Sequence, residues 1–290
     1  MPKIAYYPGC SLHSTAREYN QSLLLVLERL GIGYEEVPDW NCCGADSAGA
    51  VDSQLAVTLA VRNLVQAKRV SDIVLAPCVH CYERLAKGKE QIETNPHMRQ
   101  NVAAEMGREL GELPSVEHAL EVLTTPDVLD KIQHYAKKSL SGLKVASYYG
   151  CLFAKTPKRF HFDESDNPET LDRLIQTLGG EALSWPYKTE CCGGSLSLTR
   201  ADVAEKRVGR IVSVAREWEA DCLVVACPLC HANLDLRQTQ LWDNKAENRM
   251  PIFYYSQLIG VALGFDPEIL GLRKHFVSPG SALAIAGIHF

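Results

Sequence analysis

The 290-residue chain has no long apolar run, no excess of positive charge and no leader-like start. Its longest apolar stretches, Leu23 to Leu27 and Leu258 to Phe265, fall far short of the ~20 residues a helix needs to span a bilayer. Direct membrane insertion is therefore not expected, and any membrane association must come through partners. Thirty Lys and Arg stand against 35 Asp and Glu, for a formal net charge of -5, and no basic cluster is interleaved with aromatics. Nucleic acid is accordingly not an expected partner. Met1 to Tyr7 runs straight into a strand-like segment, without a charged stretch followed by an apolar core and a cleavage site. The expected location is the cytoplasm. Also missing are a G-x-G-x-x-G opening a helix and a C-x2-C-x2-C-x3-C-P run, so neither a dinucleotide site nor a bacterial-ferredoxin cluster pair is expected.

What the chain does have is cysteine. There are eleven, at 10, 42, 43, 78, 81, 151, 191, 192, 222, 227 and 230, in a sequence whose 46% apolar and 22% charged residues suit two well-cored domains. In a reducing compartment, thiols at motif spacing signal metal or redox chemistry more often than a disulfide framework. The adjacent pairs agree, since neighbouring Cα atoms lie ~3.8 Å apart, below the ~4.4 Å lower end for an unstrained disulfide.

Ten of the eleven are placed by one pattern used twice. Lys3-Ile-Ala-Tyr-Tyr-Pro-Gly-Cys10 matches Lys144-Val-Ala-Ser-Tyr-Tyr-Gly-Cys151; Cys42-Cys43-Gly44 matches Cys191-Cys192-Gly193; and after an identical gap of 34 residues each half closes with C-x-x-C, Cys78/Cys81 and Cys227/Cys230. The first gap differs, 31 residues before Cys42 and 39 before Cys191, which a loop insertion absorbs at little entropic cost.

The same rhythm organises the expected structure. Ile4 to Tyr7 and Val145 to Tyr149 read as short buried strands, each ending at a glycine that lets the chain turn into the first cysteine. Thr15-Ala-Arg-Glu18 has the pattern of a capping box opening a helix that stops at Gly31. In the second half Asn167 reads as the cap, with Pro168 at the first helical position and Gly179 at the end. Strand, helix, Cys-Cys-Gly loop, helix, strand, C-x-x-C and helix follow in turn. That alternation predicts an α/β fold of two pseudo-symmetric domains, 1-141 and 142-290, each with a mainly parallel sheet and its site at the carboxyl ends of the strands. Val116 to Leu123 and Pro126 to Lys137 read as helices completing the first domain. Ile252 to Tyr255 reads as a strand leading into a helix from Ser256 towards Gly264.

Five thiols per repeat limit the chemistry. Structural zinc takes four tetrahedral ligands, leaving one cysteine over in each half. A C-x-x-C dithiol with a lowered pKa leaves three unexplained. Iron-sulfur clusters are held by cysteine thiolates at varied loop spacings, and five ligands suit a larger or opened cluster. Iron-sulfur is the favoured reading, with zinc and a metal-free dithiol as its alternatives. His80 and His231, each beside a C-x-x-C cysteine, are candidates for supplying protons, against the plainer reading that they pack at the site's edge. Lys188, Lys155, Lys158 and Arg159 are candidates for meeting an anionic substrate, against that of solvated loop charges. Gly44, Gly193 and Gly194 fit close backbone approach to a cluster, or simple turns. Cys222, outside both patterns, reads as a small buried hydrophobe.

The doubled pattern resembles the CCG domains of the heterodisulfide reductase B subunit over essentially the whole chain. The resemblance implies that Cys10, Cys42, Cys43, Cys78 and Cys81 hold one noncubane 4Fe-4S cluster and that Cys151, Cys191, Cys192, Cys227 and Cys230 hold a second. It further implies that a substrate disulfide lies between the two clusters and is reduced in one-electron steps, or that thiols are oxidised in reverse. In methanogens that substrate is the coenzyme M-coenzyme B heterodisulfide. Implied partners are a ferredoxin-type iron-sulfur subunit and a flavin subunit, the family's C and A components. Similar CCG domains in glycolate, lactate and succinate dehydrogenases imply the alternative of a non-catalytic electron relay or docking subunit.

Overall fold

The computed structural model describes residues 3–155, 162–243 and 245–289. Strand β1 (Ile4–Tyr6), buried along its whole length, pairs in parallel with β2 (Tyr34–Glu36) on one side and β3 (Ile73–Ala76) on the other, and β4 (Ser115–His118) completes the sheet in the order β2-β1-β3-β4. The second half repeats this with β5 (Lys144–Tyr148), β6 (Glu181–Ala182), β7 (Cys222–Val225) and β8 (Ile252–Tyr254), ordered β6-β5-β7-β8. All these pairings are parallel. The inner strands are rich in Ile, Val and Leu because a parallel sheet is covered on both faces. The α/β, pseudo-symmetric, parallel-sheet expectation is therefore met.

The covering helices in the first half are α1 (Gly9–His13), α2 (Arg17–Arg29), α3 (Ala45–Val51), α4 (Ser53–Lys68), α5 (Val79–Thr94), α6 (Pro96–Met106), α7 (Ala119–Leu123) and α8 (Pro126–Tyr135). In the second half they are α9 (Cys151–Lys155), α10 (Thr170–Thr177), α11 (Ala201–Glu217), α12 (Pro228–Leu241), α13 (Tyr255–Ala262) and α14 (Gly280–Ile285).

The halves grip each other reciprocally. Helix α13 packs on α2 and its counterpart α7 packs on α10; α12 meets α1 and its counterpart α5 meets α9. Each contact thus has its pseudo-two-fold mate. The α2–α13 seam is polar at its centre and fully buried there, with the Tyr19 and Tyr255 hydroxyls 3.0 Å apart and the Ser22 and Ser256 hydroxyls 2.7 Å apart. Buried hydroxyls in mutual hydrogen bonds avoid the desolvation cost of unpaired polar groups and fix the register of the two helices.

Several local expectations are corrected. Val116 to His118 is strand, because Ser115–His118 adds in register to β3; only Ala119–Leu123 is helical. Thr15 does not cap α2. The Ala16 amide turns back to the Ser11 carbonyl at 2.8 Å, and the helix starts at Arg17 with no side-chain cap. Asn167 does not cap α10 either, since Asp163 Oδ2 accepts from the Glu169 and Thr170 amides at 2.8 and 2.6 Å. The tail after α13 packs onto α12, where Asp235 accepts from the Phe276 and Val277 amides.

Candidate metal centre

In the first half the five cysteines converge at the carboxyl ends of β1 and β3. Gly9, at φ +68°, turns the chain out of β1, and Cys10 follows in α1. Cys42 and Cys43 lie in the loop before α3, while Cys78 stands at the N-cap of α5 and Cys81 in its first turn. The Cys10 and Cys42 sulfurs are 3.6 Å apart, and those of Cys43 and Cys81 3.5 Å. In the second half Cys151 opens α9, Cys191 and Cys192 occupy the loop after β6, and Cys227 caps α12 with Cys230 in its first turn. The Cys192 and Cys230 sulfurs are 3.6 Å apart, and the Gly193 amide donates to Cys191 Sγ at 3.3 Å.

These separations are far too long for a disulfide, whose sulfurs bond at ~2.05 Å, and near the ~3.8 Å expected of sulfurs sharing a tetrahedral centre with ~2.3 Å bonds. No cysteine is held in a disulfide. The backbone leaves room for nothing bulkier than glycine beside them: a Cβ on Gly9 would lie 2.7 Å from Cys81 Sγ, and one on Gly150 3.0 Å from Cys230 Sγ.

The two vicinal loops are braced alike. Tyr7 donates to the Asn41 carbonyl at 2.7 Å and Tyr148, its counterpart, to the Glu190 carbonyl at 2.6 Å, each just before the cysteine pair. Asn63 holds both the amide and the carbonyl of Asn41, and Asn233, itself held by Arg237, donates to the Cys192 carbonyl. Sequence reasoning missed these braces. Only the aligned tyrosines were visible as a signal, because the asparagines sit at non-equivalent positions on helices.

Crowding makes the thiols share protons unequally. The hydrogen bonds from Cys42 and Cys81 pull Cys43 down to about 3, and Cys192 is lowered by Cys230; Cys81 and Cys230 are driven up by the same contacts. Five crowded thiolates cannot coexist without a cation. A bound metal would replace the shared protons, so the donor set fits iron or zinc, and five sulfurs exceed what tetrahedral zinc accepts.

His80 lies where the two halves meet. Burial favours its neutral form, but hydrogen bonds to Cys227 of the second set and Cys78 of the first outweigh that and push it up to about 12. It lines, with Val79, a cavity of about 260 Å³ walled by the five cysteines of the second set and by Tyr149, Leu152 and Leu229.

The other candidates lie elsewhere. His231 does not line this cavity; its ring stacks on Tyr254 and its Nε2 is 3.0 Å from the Ile252 carbonyl oxygen. Lys188 is buried, with its ammonium on Asp172 and the Pro168 carbonyl, while its own carbonyl accepts from the Tyr149 and Gly150 amides. Lys155 closes α9, and Lys158 and Arg159 lie outside the described residues. A Cβ on Gly44 would meet Ala48, whereas Gly194 does line the cavity, and a Cβ there would meet Leu229 and lie 3.4 Å from Cys192 Sγ. Cys222 is wholly buried in β7, and burial raises its thiol.

The model of the cysteine-rich CCG domain matches twice, over residues 4–86 and 145–235. The chain belongs to that family. It is 30% identical over 276 residues to the 8-methylmenaquinol:fumarate reductase membrane anchor subunit of Wolinella succinogenes, covering 95% of this chain and 97% of that one. It is 29% identical over 284 residues to the B subunit of the ferredoxin:CoB-CoM heterodisulfide reductase of Methanosarcina mazei, covering 96% and 94%. A protein of Archaeoglobus profundus described as like the heterodisulfide reductase B subunit is 28% identical over 277 residues, covering 92% and 93%. The crystal structure of a hypothetical protein from Helicobacter pylori shares the fold with a TM-score of 0.73 at 15% identity, over 95% of this chain and 52% of that one. The CCG repeats carry the ten patterned cysteines, and their relatives are subunits of redox complexes. Among the described residues, no helix is long and apolar enough to cross a membrane.

Proposed function

We propose that the chain is the disulfide-handling iron-sulfur subunit of a heterodisulfide reductase-like complex, with domains 1-141 and 142-290 each holding one noncubane 4Fe-4S cluster. The observation that carries this is the cavity at the junction of the halves, where the second five-cysteine set and His80 of the first half face the same space. The ligands are Cys10, Cys42, Cys43, Cys78 and Cys81 at one site and Cys151, Cys191, Cys192, Cys227 and Cys230 at the other. When bound, such clusters supply electrons singly and an iron on which a substrate sulfur can rest.

Reducing a disulfide takes two electrons and two protons and yields two thiols, so a pair of one-electron sites matches the stoichiometry. Attack by a free protein thiolate is the usual route to breaking a disulfide, and here every cysteine that lines the cavity belongs to a ligand set. The chain's own contribution is positional. Val79, Tyr149, Leu152 and Leu229 give the cavity an apolar wall that excludes water from the reacting sulfurs, and His80 holds a ring proton at its edge. Electrons arrive from a ferredoxin-type iron-sulfur subunit and a flavin subunit in the cytoplasm, with any membrane contact made through those partners.

A second reading, an electron relay or docking subunit of a dehydrogenase, is favoured by the similarity to a fumarate reductase anchor subunit. Iron and sulfide analysis with EPR of the anaerobically prepared, oxidised protein decides. About eight irons per chain and a new paramagnetic signal on adding a candidate thiol support the disulfide reading. Iron without a thiol response supports the relay, and zinc without sulfide overturns both.

A further inference from the structure

The second half holds a buried polar cluster that neither the cysteine sets nor the cavity uses. His231 and Asp235 stand one helical turn apart on α12, and the tail brings His275 against them. Each offers one ligand atom, and the three atoms all lie within 4.8 Å of one another. Asp235 is only 2% exposed. Its oxygens accept from the Phe276 and Val277 amides at 2.8 and 2.9 Å, and among the described residues no Lys, Arg or His nitrogen comes within 4.0 Å of them. A buried carboxylate without a positive partner is costly, and two amide dipoles offset only part of that cost. The imidazoles stand too far from it to hydrogen-bond and near enough to share an ion with it. His275 is itself incompletely satisfied: its Nε2 lies 2.9 Å from Gln257 Nε2, and its buried Nδ1 has no partner among the described residues.

We infer that His231, Asp235 and His275 bind a zinc ion, at a third metal site separate from both cysteine sets. Three atoms no more than 4.8 Å apart share a point ~2.8 Å or less from each, so closing by under ~1 Å reaches the ~2.0–2.2 Å of zinc–imidazole and zinc–carboxylate bonds. The Ile252 carbonyl oxygen, 3.0 Å from His231 Nε2, supplies a fourth ligand, since atoms on one tetrahedral centre with ~2.0 Å bonds lie ~3.3 Å apart. The His231 ring is already fixed by its stacking on Tyr254. Two imidazoles, a carboxylate and a carbonyl form a closed shell, that of a structural ion, and the ion supplies the positive charge that Asp235 lacks. It fastens the tail to α12, whose first turn carries Cys230, and to the last strand of the sheet. The first half has Tyr82 and Ala86 at the positions of His231 and Asp235, so this site has no pseudo-two-fold mate.

The test is metal analysis of the full, anaerobically prepared chain, equilibrated with Zn2+ and desalted, as wild type, His275→Gln and Asp235→Asn. Zinc K-edge absorption of the wild type identifies the ligands. The expected result is about one zinc per chain in the wild type, with a nitrogen and oxygen shell at ~2.0 Å and no sulfur shell near ~2.3 Å. In both variants zinc falls about tenfold or more while iron and sulfide stay unchanged, and a zinc chelator lowers the melting temperature of the wild type alone. A wild type that retains no zinc overturns the site. Zinc retained equally in both variants, or held in a sulfur shell, overturns it as well, because the ion then sits on the cysteines. Should one variant fail to fold, the other variant and the wild-type spectrum decide. Zinc on nitrogen and oxygen in a chain that holds no iron removes the cluster assignment and leaves this site standing.

Discussion

His231 lies flat on Tyr254, ring centroids 4.0 Å apart and planes within 11° of parallel. The residue after the second C-x-x-C thus packs on the last residue of the fourth strand in its sheet. In the first half the same two places are taken by Tyr82 and His118, with the residue types exchanged and the rings edge to face at 5.7 Å. Both pairs lock the helix carrying the C-x-x-C to the edge of the sheet. The arrangement explains why His231, beside a C-x-x-C cysteine in sequence, packs on the sheet edge in space.

Gly9 tests whether the first set holds its metal as proposed. Alanine there must adopt φ +68° with its Cβ 2.7 Å from Cys81 Sγ, so both the backbone and the sulfur resist it. Gly9→Ala is expected to lose about half of the bound iron and sulfide while the second site keeps its own, as element analysis of the anaerobically purified variant will show. Full iron retention in Gly9→Ala counts against the assignment of Cys81.

Cys222 is the matching control. It is fully buried in β7, where it pairs with Val145 of β5. Cys222→Ala is expected to keep all iron and sulfide and to cost about 1 kcal/mol in denaturant unfolding, whereas Cys227→Ala loses the second site's share. Loss of iron from Cys222→Ala brings it into the ligand set.

The contrast between these two cysteines shows how far the sequence could be read. Spacing, repeated twice, was enough to separate ten site thiols from one core thiol, and the glycines before Cys10 and Cys151 marked sharp turns before any coordinates. What escaped were features that depend on tertiary contacts. Strand β2, half-exposed and only Tyr34–Glu36 long, carries no apolar run to announce it; β4 hides because Ser115–His118 joins a short strand directly to a helix. Lys188 looked like a substrate contact because it precedes Cys191 in the chain, but its ammonium is bound by Asp172, a residue on α10. His80 and His231 had equal standing in the sequence, each beside a C-x-x-C cysteine. Only the pseudo-two-fold docking turns one to the junction and the other under a tyrosine.

The Lys188–Asp172 pair is buried on both sides, with side-chain exposures of 6% and 14%. Replacing the lysine with methionine keeps its volume and strands the carboxylate, an uncompensated buried charge worth about 3–5 kcal/mol of destabilisation. Lys188→Met is expected to show that loss in denaturant melts with iron content intact, and the double variant Lys188→Met/Asp172→Leu to recover most of it. A Lys188→Met protein of unchanged stability but altered thiol-dependent EPR returns Lys188 to the site.

His118 gives the pH dependence. It is completely buried, its Nδ1 accepts the Leu120 amide at 3.1 Å, and its Nε2 has no hydrogen-bond partner among the described residues, so burial holds it down to about 3 from an ordinary 6.5. Because the unfolded chain binds this proton and the folded chain does not, the stability His118 supports is present above pH 6.5 and lost as pH falls towards 3. At pH 5, ~1.5 pH units into that window, the loss is about 2 kcal/mol at ~1.36 kcal/mol per unit. Asparagine can still accept the Leu120 amide but does not titrate. Between pH 7.5 and 5, wild type is therefore expected to lose about 2 kcal/mol more than His118→Asn in denaturant unfolding. Parallel losses in the two proteins mean that His118 takes up its proton inside the fold. In that case the Tyr82–His118 contact at the sheet edge opens to water, and the packing that secures the first C-x-x-C is looser than its counterpart under Tyr254.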